Sequence, residues 1–332
     1  MNRAAQMNWR ARIKSMVISV VVPTFNRREV VKRTVESLFA QDFPSADYEI
    51  IVVVDGSRDG TADALRALKA PCRFQIVEQA NKGLAGARNS GAQAAGAELL
   101  LFLDDDMLCK PGLVAAHAAA HSESPRTVGF GAIFLSPDSP PSLAAECFKR
   151  ELGAFYLRHK EDAGDEHRDL EYIFGNSSIS RDLLMEAGGF DESFRMREDL
   201  ELWVRLAGMG VRPRYVPGAV AFQYYAKTSA DLIRDAEAFA IADVMFARRH
   251  PDVRDYGQLR LLDQAPGWKR ALRRVAAVSP ALTDLALTPL CGLGEAFFAV
   301  PGMRNLGVRA LQMRRRIHWL HKALALGIPK VN

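Results

Sequence analysis

Three consecutive aspartates, Asp104-Asp105-Asp106, follow directly on the apolar run at 98–103 (ELLLFL). Adjacent carboxylates repel one another and aspartate is a poor strand residue, so this placement costs stability unless a cation is at hand. Their hard oxygens suit Mg2+ or Mn2+. Such an ion can bridge protein carboxylates to a diphosphate and stabilise the charge that builds on a leaving group. The plainer alternative is a solvated acidic turn or helix N-cap. Other residues have similarly pointed chemistry. Asp55 closes the run EIIVVV at 49–54 and can accept an N–H from a nucleobase edge, or serve only as an Asp-Gly turn residue. Glu198-Asp199 is a further acidic pair, either member of which could act as a general base, although both also suit a helix N-terminus. Arg88 carries the planar fork that phosphate recognition favours. Lys82-Gly83 opens a helix whose first amides could face a phosphate, without the Gly-Lys-Ser/Thr of a P-loop. Trp203 could offer a platform to an acceptor or sugar, or fill core. His117 and His121 have the i,i+4 spacing of a zinc pair but no third ligand in view.

The runs between these residues supply a frame. Residues 17–22 (VISVVV) read as a buried parallel strand opening into a loop, and 49–54, 73–78 and 98–103 as further strands. Helical spacing over 28–41 puts Val31, Val35, Leu38 and Phe39 on one face, and further helices are expected at 61–69 and 84–95. Alternation of this kind argues for a parallel sheet with helices on both faces. Ligands collect at the carboxyl ends of such strands, where the polar clusters named above fall. Beyond the triplet, helices are expected to His121, over 198–209 and over 229–249, with strands at 127–135, 172–180, 213–216 and 219–224 and a turn at Gly188-Gly189-Phe190-Asp191. The expected class is α/β: a Rossmann-like, mostly parallel sheet flanked by helices, with a helical C-terminal extension.

Five segments, taken in order, carry a resemblance: VVPTFNR at 21–27, VVVDGSRDGT at 52–61, NKGLAGARNSG at 81–91, LLFLDDD at 100–106, and GGFDESF at 188–194 followed by Arg197 to Trp203. Over about residues 17–250 the chain resembles the family 2 glycosyltransferases of GT-A fold. The resemblance implies an inverting transfer of a sugar from a nucleotide-diphosphate sugar, UDP-linked by preference, to an acceptor hydroxyl of a glycan or lipid-linked precursor, as in cell-envelope polysaccharide synthesis. It places Pro23, Thr24, Phe25, Asn26 and Arg27 in the nucleoside pocket and Asp55 on the base. Lys82, Gly83 and Arg88 come near the base, ribose or diphosphate. Asp104 and Asp106 form the DxD pair, with Asp106 the direct ligand of Mn2+ or Mg2+ and Asp104 or Asp105 near the ribose. Asp199, beside Glu198, supplies the base. Many relatives place a metal-binding His after the strand near 216–224; here the chain reads Ala221-Phe222-Gln223-Tyr224-Tyr225, so Gln223 or Tyr224 takes that position. Two rival readings are a nucleotidyltransferase that makes nucleotide-sugars, which lacks support from a Gly-rich, Arg-containing loop after the first strand, and a non-catalytic nucleotide-sugar or glycan-binding module.

Composition sets the outer bounds. The 332 residues are 48% hydrophobic and 25% charged, values of an ordinary globular chain. The net charge of +5 is uneven: residues 248–332 hold 15 Lys/Arg against 5 Asp/Glu. Domains are expected as a basic extension at 1–16, a catalytic domain at 17–250 with halves 17–106 and 107–250, and a basic helical region at 251–332. Trp268, Phe297, Phe298 and Trp319 beside basic clusters suit a peripheral location on an anionic membrane surface; the aromatics do not interleave with the cations as nucleic-acid binding requires. Four isolated cysteines, Cys72, Cys109, Cys147 and Cys291, fit a reducing cytoplasm. The N-terminus lacks the apolar stretch of a signal peptide, and no run of apolar residues is long enough to span a bilayer.

Overall fold

The β-branched runs become the centre of a sheet. The computed structural model describes residues 17–121, 126–161, 173–253 and 278–327. The basic stretch 1–16, residues 162–169 of the charge-rich segment, Trp268 and the basic clusters at 269–274 lie outside the described residues. The chain divides into two compact units. One comprises residues up to 136 and 158–224, the other 137–157 and 225–332.

The first unit holds an eight-stranded sheet in the order β3-β2-β1-β4-β7-β6-β8-β5. Strands β1 (Ile18–Thr24), β2 (Tyr48–Asp55), β3 (Arg73–Gln79) and β4 (Leu99–Leu103) are parallel, as the alternation predicts. β1, β2 and β4 are buried along their whole length, which is why they read as continuous apolar runs. β7 (Asn176–Ser180) then runs antiparallel between β4 and β6 (Thr127–Leu135). β8 (Arg212–Gln223) lies parallel to β6, and its last residues pair antiparallel with β5 (Met107–Cys109).

Helices α1 (Arg28–Phe39), α2 (Thr61–Arg66), α3 (Gly83–Ala94) and α4 (Leu113–His121) fill the crossovers and follow the triplet. α1 buries Val31, Val35 and Leu38, three residues on one stripe. α3 is rich in Ala and Gly because it lies close on the sheet: a Cβ at Gly91 would run into Val21. α6 (Arg181–Glu186) and α7 (Glu198–Gly208) come after β7.

Two sequence expectations change here. The strands expected at 213–216 and 219–224 are one strand, β8, whose partner register slips between Gly131 and Ala132. A bulge of this kind breaks the alternation that marks a strand in sequence. β5 went unread because three residues carry no periodicity.

The second unit is helical: α5 (Leu143–Glu161, which continues past 157), α8 (Ser229–Arg249), α9 (Pro280–Ala296) and α10 (Pro301–Ala325). α8, grouped with the catalytic domain on sequence, packs in this unit against α10 through Ala236, Ala240, Val244, Leu320 and Ala323. Trp319 belongs to the same core at 1% exposure and donates to Asp243 Oδ2 at 2.8 Å. Arg314 pairs with Asp284 at 2.7 Å and Arg315 with Glu151 at 2.5 Å. Trp319 is therefore an interior group of a helical bundle and the expectation that it belongs to a membrane-facing surface is corrected, while Arg314 and Arg315 are half-buried members of ion pairs. Among the described residues no helix is long and apolar enough to cross a membrane.

Candidate active site

The ends of β1, β2 and β4 bring most of the expected residues together. Pro23 and Thr24 are the buried end of β1, whereas Phe25, Asn26 and Arg27 emerge from it and are exposed. Asn26 has φ of 51°, a left-handed conformation that asparagine tolerates. Its amide donates to Ser57 Oγ at 2.9 Å and its side-chain oxygen accepts from Arg58 N at 2.8 Å, which locks the loop after β1 to the loop after β2.

The triplet splits into two ion-pair systems. Thr24 Oγ1 donates to Asp105 Oδ2 at 2.7 Å, and Arg27 spans Asp105 Oδ1 at 2.6 Å and Asp106 Oδ2 at 3.1 Å. Burial pushes Asp105 up to about 7, against the pull of Arg27. Asp106 is raised for the same first reason. Asp104 looks the other way. Its Oδ1 accepts from Arg88 Nη2 at 3.0 Å and its backbone N donates to Gly175 O at 3.1 Å, at the short 3-10 turn before β7.

Arg88 does not face open space. It is 2% exposed and donates to Glu198 Oε1 at 2.8 Å as well as to Asp104 and to Phe174 O at 3.2 Å, with its guanidinium over the Phe190 ring. The expected contact with ribose or diphosphate gives way to a buried bridge between the triplet and α7. Glu198 is pushed up to about 7, first by burial and then by Asp199. Asp199 is raised by burial as well, and its carboxylate accepts from Leu200 N at 2.7 Å. Asp199 is the more open of the two acids, partly exposed where Glu198 is buried. Arg197, which caps α7, has φ of 66°. An arginine held in the left-handed region stores backbone strain, a feature concentrated at functional sites.

Asp55 is engaged internally. Oδ1 accepts from Gln79 Nε2 at 2.7 Å and from Lys82 N at 2.8 Å, and Oδ2 accepts from Gly83 N at 2.8 Å. The first amides of α3 therefore point at Asp55, which corrects the expectation that they face a phosphate. Gly83 sits at φ of +81°, a conformation that L side chains rarely adopt, under the tip of the exposed Arg195 side chain. Lys82 is exposed beside it. Trp203 is 6% exposed and packs in the core, so it presents no open platform to a sugar.

His117 and His121 are a hydrogen-bonded pair in the interior. His117 Nε2 meets Asn176 Oδ1 at 3.0 Å, and both His117 Nδ1 and His121 Nε2 meet Ser178 Oγ at 2.8 Å. Asn176 Oδ1 only accepts, so His117 Nε2 donates and Nδ1 takes the Ser178 proton. His121 Nε2 must then donate to Ser178 Oγ. His117 is satisfied at both nitrogens as a neutral imidazole, whereas His121 Nδ1 is buried without a hydrogen-bond partner among the described residues, and burial lowers each ring to about 4.

A divalent cation fits the triplet on one observation. Asp106 Oδ1 is buried and accepts no hydrogen bond among the described residues. An orphaned carboxylate oxygen is costly unless something electropositive reaches it. The β5–β8 pairing sets Met107 opposite Gln223, and the Gln223 amide favours the charged form of Asp106, so the neighbour expected from sequence is in place. No group of three or more His, Cys, Asp or Glu among the described residues converges on one point. Such a site would hold an ion through one or two carboxylates and the oxygens of a bound nucleotide, a mode that suits Mg2+ and Mn2+.

Sequence reading missed Gly175, whose missing Cβ leaves room for Asp104 Oδ2, and Asn89, which exchanges two 2.9 Å hydrogen bonds with the backbone of Phe190. The lone glycine before a polar strand was the available signal for the first.

Residues 19–186 match the model of the family described as Glycosyl transferase family 2. The chain is 32% identical over 220 residues to a validoxylamine A glucosyltransferase of Streptomyces hygroscopicus subsp. jinggangensis, covering 59% of this chain and 52% of that protein. It is 28% identical over 240 residues to a pre-mycofactocin glycosyltransferase of Mycobacterium tuberculosis, covering 71% and 48%. The chain thus spans about half the length of these relatives. Among solved structures, the mannosyltransferase PcManGT from Pyrobaculum calidifontis, in complex with GDP-Man and Mn2+, superposes with a TM-score of 0.63 at 21% identity over 98% of this chain and 96% of that one. At that identity the likeness speaks to the GT-A fold alone.

Proposed function

The chain belongs to glycosyl transferase family 2, and from that premise we propose that it moves a sugar, with inversion, from a nucleoside diphosphate sugar to an acceptor hydroxyl. The observation that carries the proposal is the bridge Asp104–Arg88–Glu198, which fixes the start of α7, and with it Asp199, beside the triplet. Asp199 is the general base: it is partly exposed, and burial raises its proton affinity, the direction that strengthens a base. Glu198 and Arg88 are positioning residues that hold α7 in place. Phe25, Asn26 and Lys82 form the open nucleoside side, and Arg27 is the cation free enough to meet a diphosphate.

The donor nucleotide is proposed to be a uridine diphosphate. A carboxylate has about four acceptor positions; Asp55 has three filled, and the remaining one suits a uracil imide. Asp106, flanked by Gln223, would hold Mn2+ or Mg2+, with Asp104 contributing charge nearby. When bound, such an ion neutralises charge on the departing nucleotide. The acceptor is proposed to be a hydroxyl of a glycan or lipid-linked precursor.

Two variants test this reading. Asp199→Asn should keep donor affinity, measured by calorimetry with UDP-sugars, while transfer falls by roughly 10²–10⁴-fold, the range for loss of a general base. Normal turnover in that variant would place the base elsewhere. Asp106→Asn should lose Mn2+ binding in electron paramagnetic resonance titrations with UDP; unchanged binding refutes the metal assignment.

A further inference from the structure

α9 has an unusual surface for a helix at the outside of a helical unit. It packs on α10 along a narrow seam, where a Cβ at Gly294 would lie 2.6 Å from Gly307 Cα. Both of its acids have partners in the same unit, Asp284 half-buried and Glu295 still exposed. Asp284 binds Arg314 and His318, and Glu295 accepts from Leu143 N and Ser229 Oγ. Large apolar side chains stand outward along it: Leu282 at 69% exposure, Leu285 at 76%, Leu293 at 42%, and past the helix end Phe297 at 53% and Val300 at 48%. At helical rise, α9 is about 25 Å long, so these side chains form a stripe rather than scattered single exposures.

The neighbouring helix supplies complementary charge. α10 contains Arg304, Arg309, Arg314, Arg315, Arg316 and Lys322 and not one acidic residue, with Arg314 and Arg315 neutralised by Asp284 and Glu151. Arg304 lies at the end of the stripe, its guanidinium 5.4 Å from the Phe298 ring centre, and no carboxylate among the described residues pairs with it. An apolar helix face flanked by cations and phenylalanines, on a helix with no spanning character, is the composition of an interfacial element.

We propose that α9 and the turn Phe297–Val300 dock on a lipid surface rich in anionic headgroups. Leu282, Leu285, Leu293 and Phe297 enter the acyl boundary and Arg304 meets the headgroups. The proposal stands on the surface of the second unit and is independent of the transferase reading. It also differs from the membrane surface expected on sequence, because Trp319 is interior and Arg314 and Arg315 are held in ion pairs.

The test is flotation of the full chain with vesicles of equal parts phosphatidylcholine and phosphatidylglycerol, beside vesicles of phosphatidylcholine alone. The wild type should float with the mixed vesicles and much less with phosphatidylcholine, and added salt should weaken it. Leu282→Gln/Leu285→Gln changes two exposed side chains, and its circular dichroism melt should match the wild type. Its bound fraction should fall at least about tenfold, given the free energy of burying two leucines. Arg304→Gln should narrow the gap between the two lipid compositions. Failure of the wild type to float, equal flotation of the double leucine variant, or equal binding to both lipids would overturn the proposal. So would light scattering that shows a dimer in the wild type and a monomer in the leucine variant, which would make a second copy the occupant.

Discussion

Arg88→Met keeps much of the side-chain stem and removes the guanidinium. Glu198 then loses its 2.8 Å partner, Asp104 its 3.0 Å partner and the Phe174 carbonyl its 3.2 Å donor. Both members of the Arg88–Glu198 pair have side chains no more than 5% exposed, so solvent screens little of the loss. Removing one partner of a buried ion pair costs about 3–5 kcal/mol. Glu198 has an escape: burial and the neighbouring Asp199 already raise its proton affinity, so without Arg88 it can take up a proton instead of remaining an unpaired charge. The expected destabilisation is therefore at the low end, about 3 kcal/mol. It should shrink as the pH falls below 7, where Glu198 is protonated with or without Arg88. Adding Glu198→Gln to Arg88→Met should cost little more, which gives a coupling of about 2 kcal/mol in the double-mutant cycle. Urea unfolding followed by tryptophan fluorescence and circular dichroism measures all four corners. Single-variant losses that add to within about 0.5 kcal/mol would refute the bridge, since residues in one ion-pair network couple by more than that.

Two further outcomes are expected. Arg27→Gln removes the cation spanning Asp105 and Asp106, so Mn2+ should raise the melting temperature of the variant by more than that of the wild type, and the dissociation constant for a UDP-sugar should rise; equal Mn2+ shifts count against the assignment. His121→Gln keeps a donor to Ser178 but cannot titrate. Because burial lowers His121 from its ordinary 6.5 to about 4, the folded chain takes up no proton there while the unfolded chain does, so its stabilisation is complete above 6.5 and is lost as pH falls toward 4. Between pH 7 and 5 the wild type should lose about 2 kcal/mol more than the variant, read from denaturation midpoints at each pH.

The parallel half of the fold was legible because β1, β2 and β4 are buried on both faces and so spell themselves as β-branched or leucine runs. The triplet and Asp55 were legible because polar residues at the ends of such runs have few structural uses. Arg88 could be recognised as a residue worth attention but not understood. Its partner Glu198 is 110 residues away, and no local pattern announces that a lone arginine in an Ala/Gly helix is buried. The amides of Lys82 and Gly83 were misread for a related reason: a helix N-terminus attracts an anion, and here the anion is the chain's own Asp55. Trp203 was readable in principle. Leu200, Trp203 and Leu206 recur at intervals of three and all are buried, the mark of a core stripe.

The two arginines at this site are not equivalent, and the difference assigns their work. Arg88 is sealed among Glu198, Asp104 and the Phe190 ring at 3% side-chain exposure, so it cannot leave without opening the packing of α3 against α7. A group so held can fix geometry but cannot follow a substrate that arrives and departs. Arg27 is 41% exposed and tethered by its tip alone to Asp105 and Asp106. Exposed side chains change rotamer in picoseconds to nanoseconds, far faster than any turnover. If a cation takes the Asp106 oxygens, the guanidinium of Arg27 is released from one of its two anchors at the point where a diphosphate would lie. The fork that pairs with carboxylates pairs equally with phosphate oxygens. On the proposed transfer, donor binding would therefore depend on the exposed arginine, and the setting of the proposed base on α7 on the buried one.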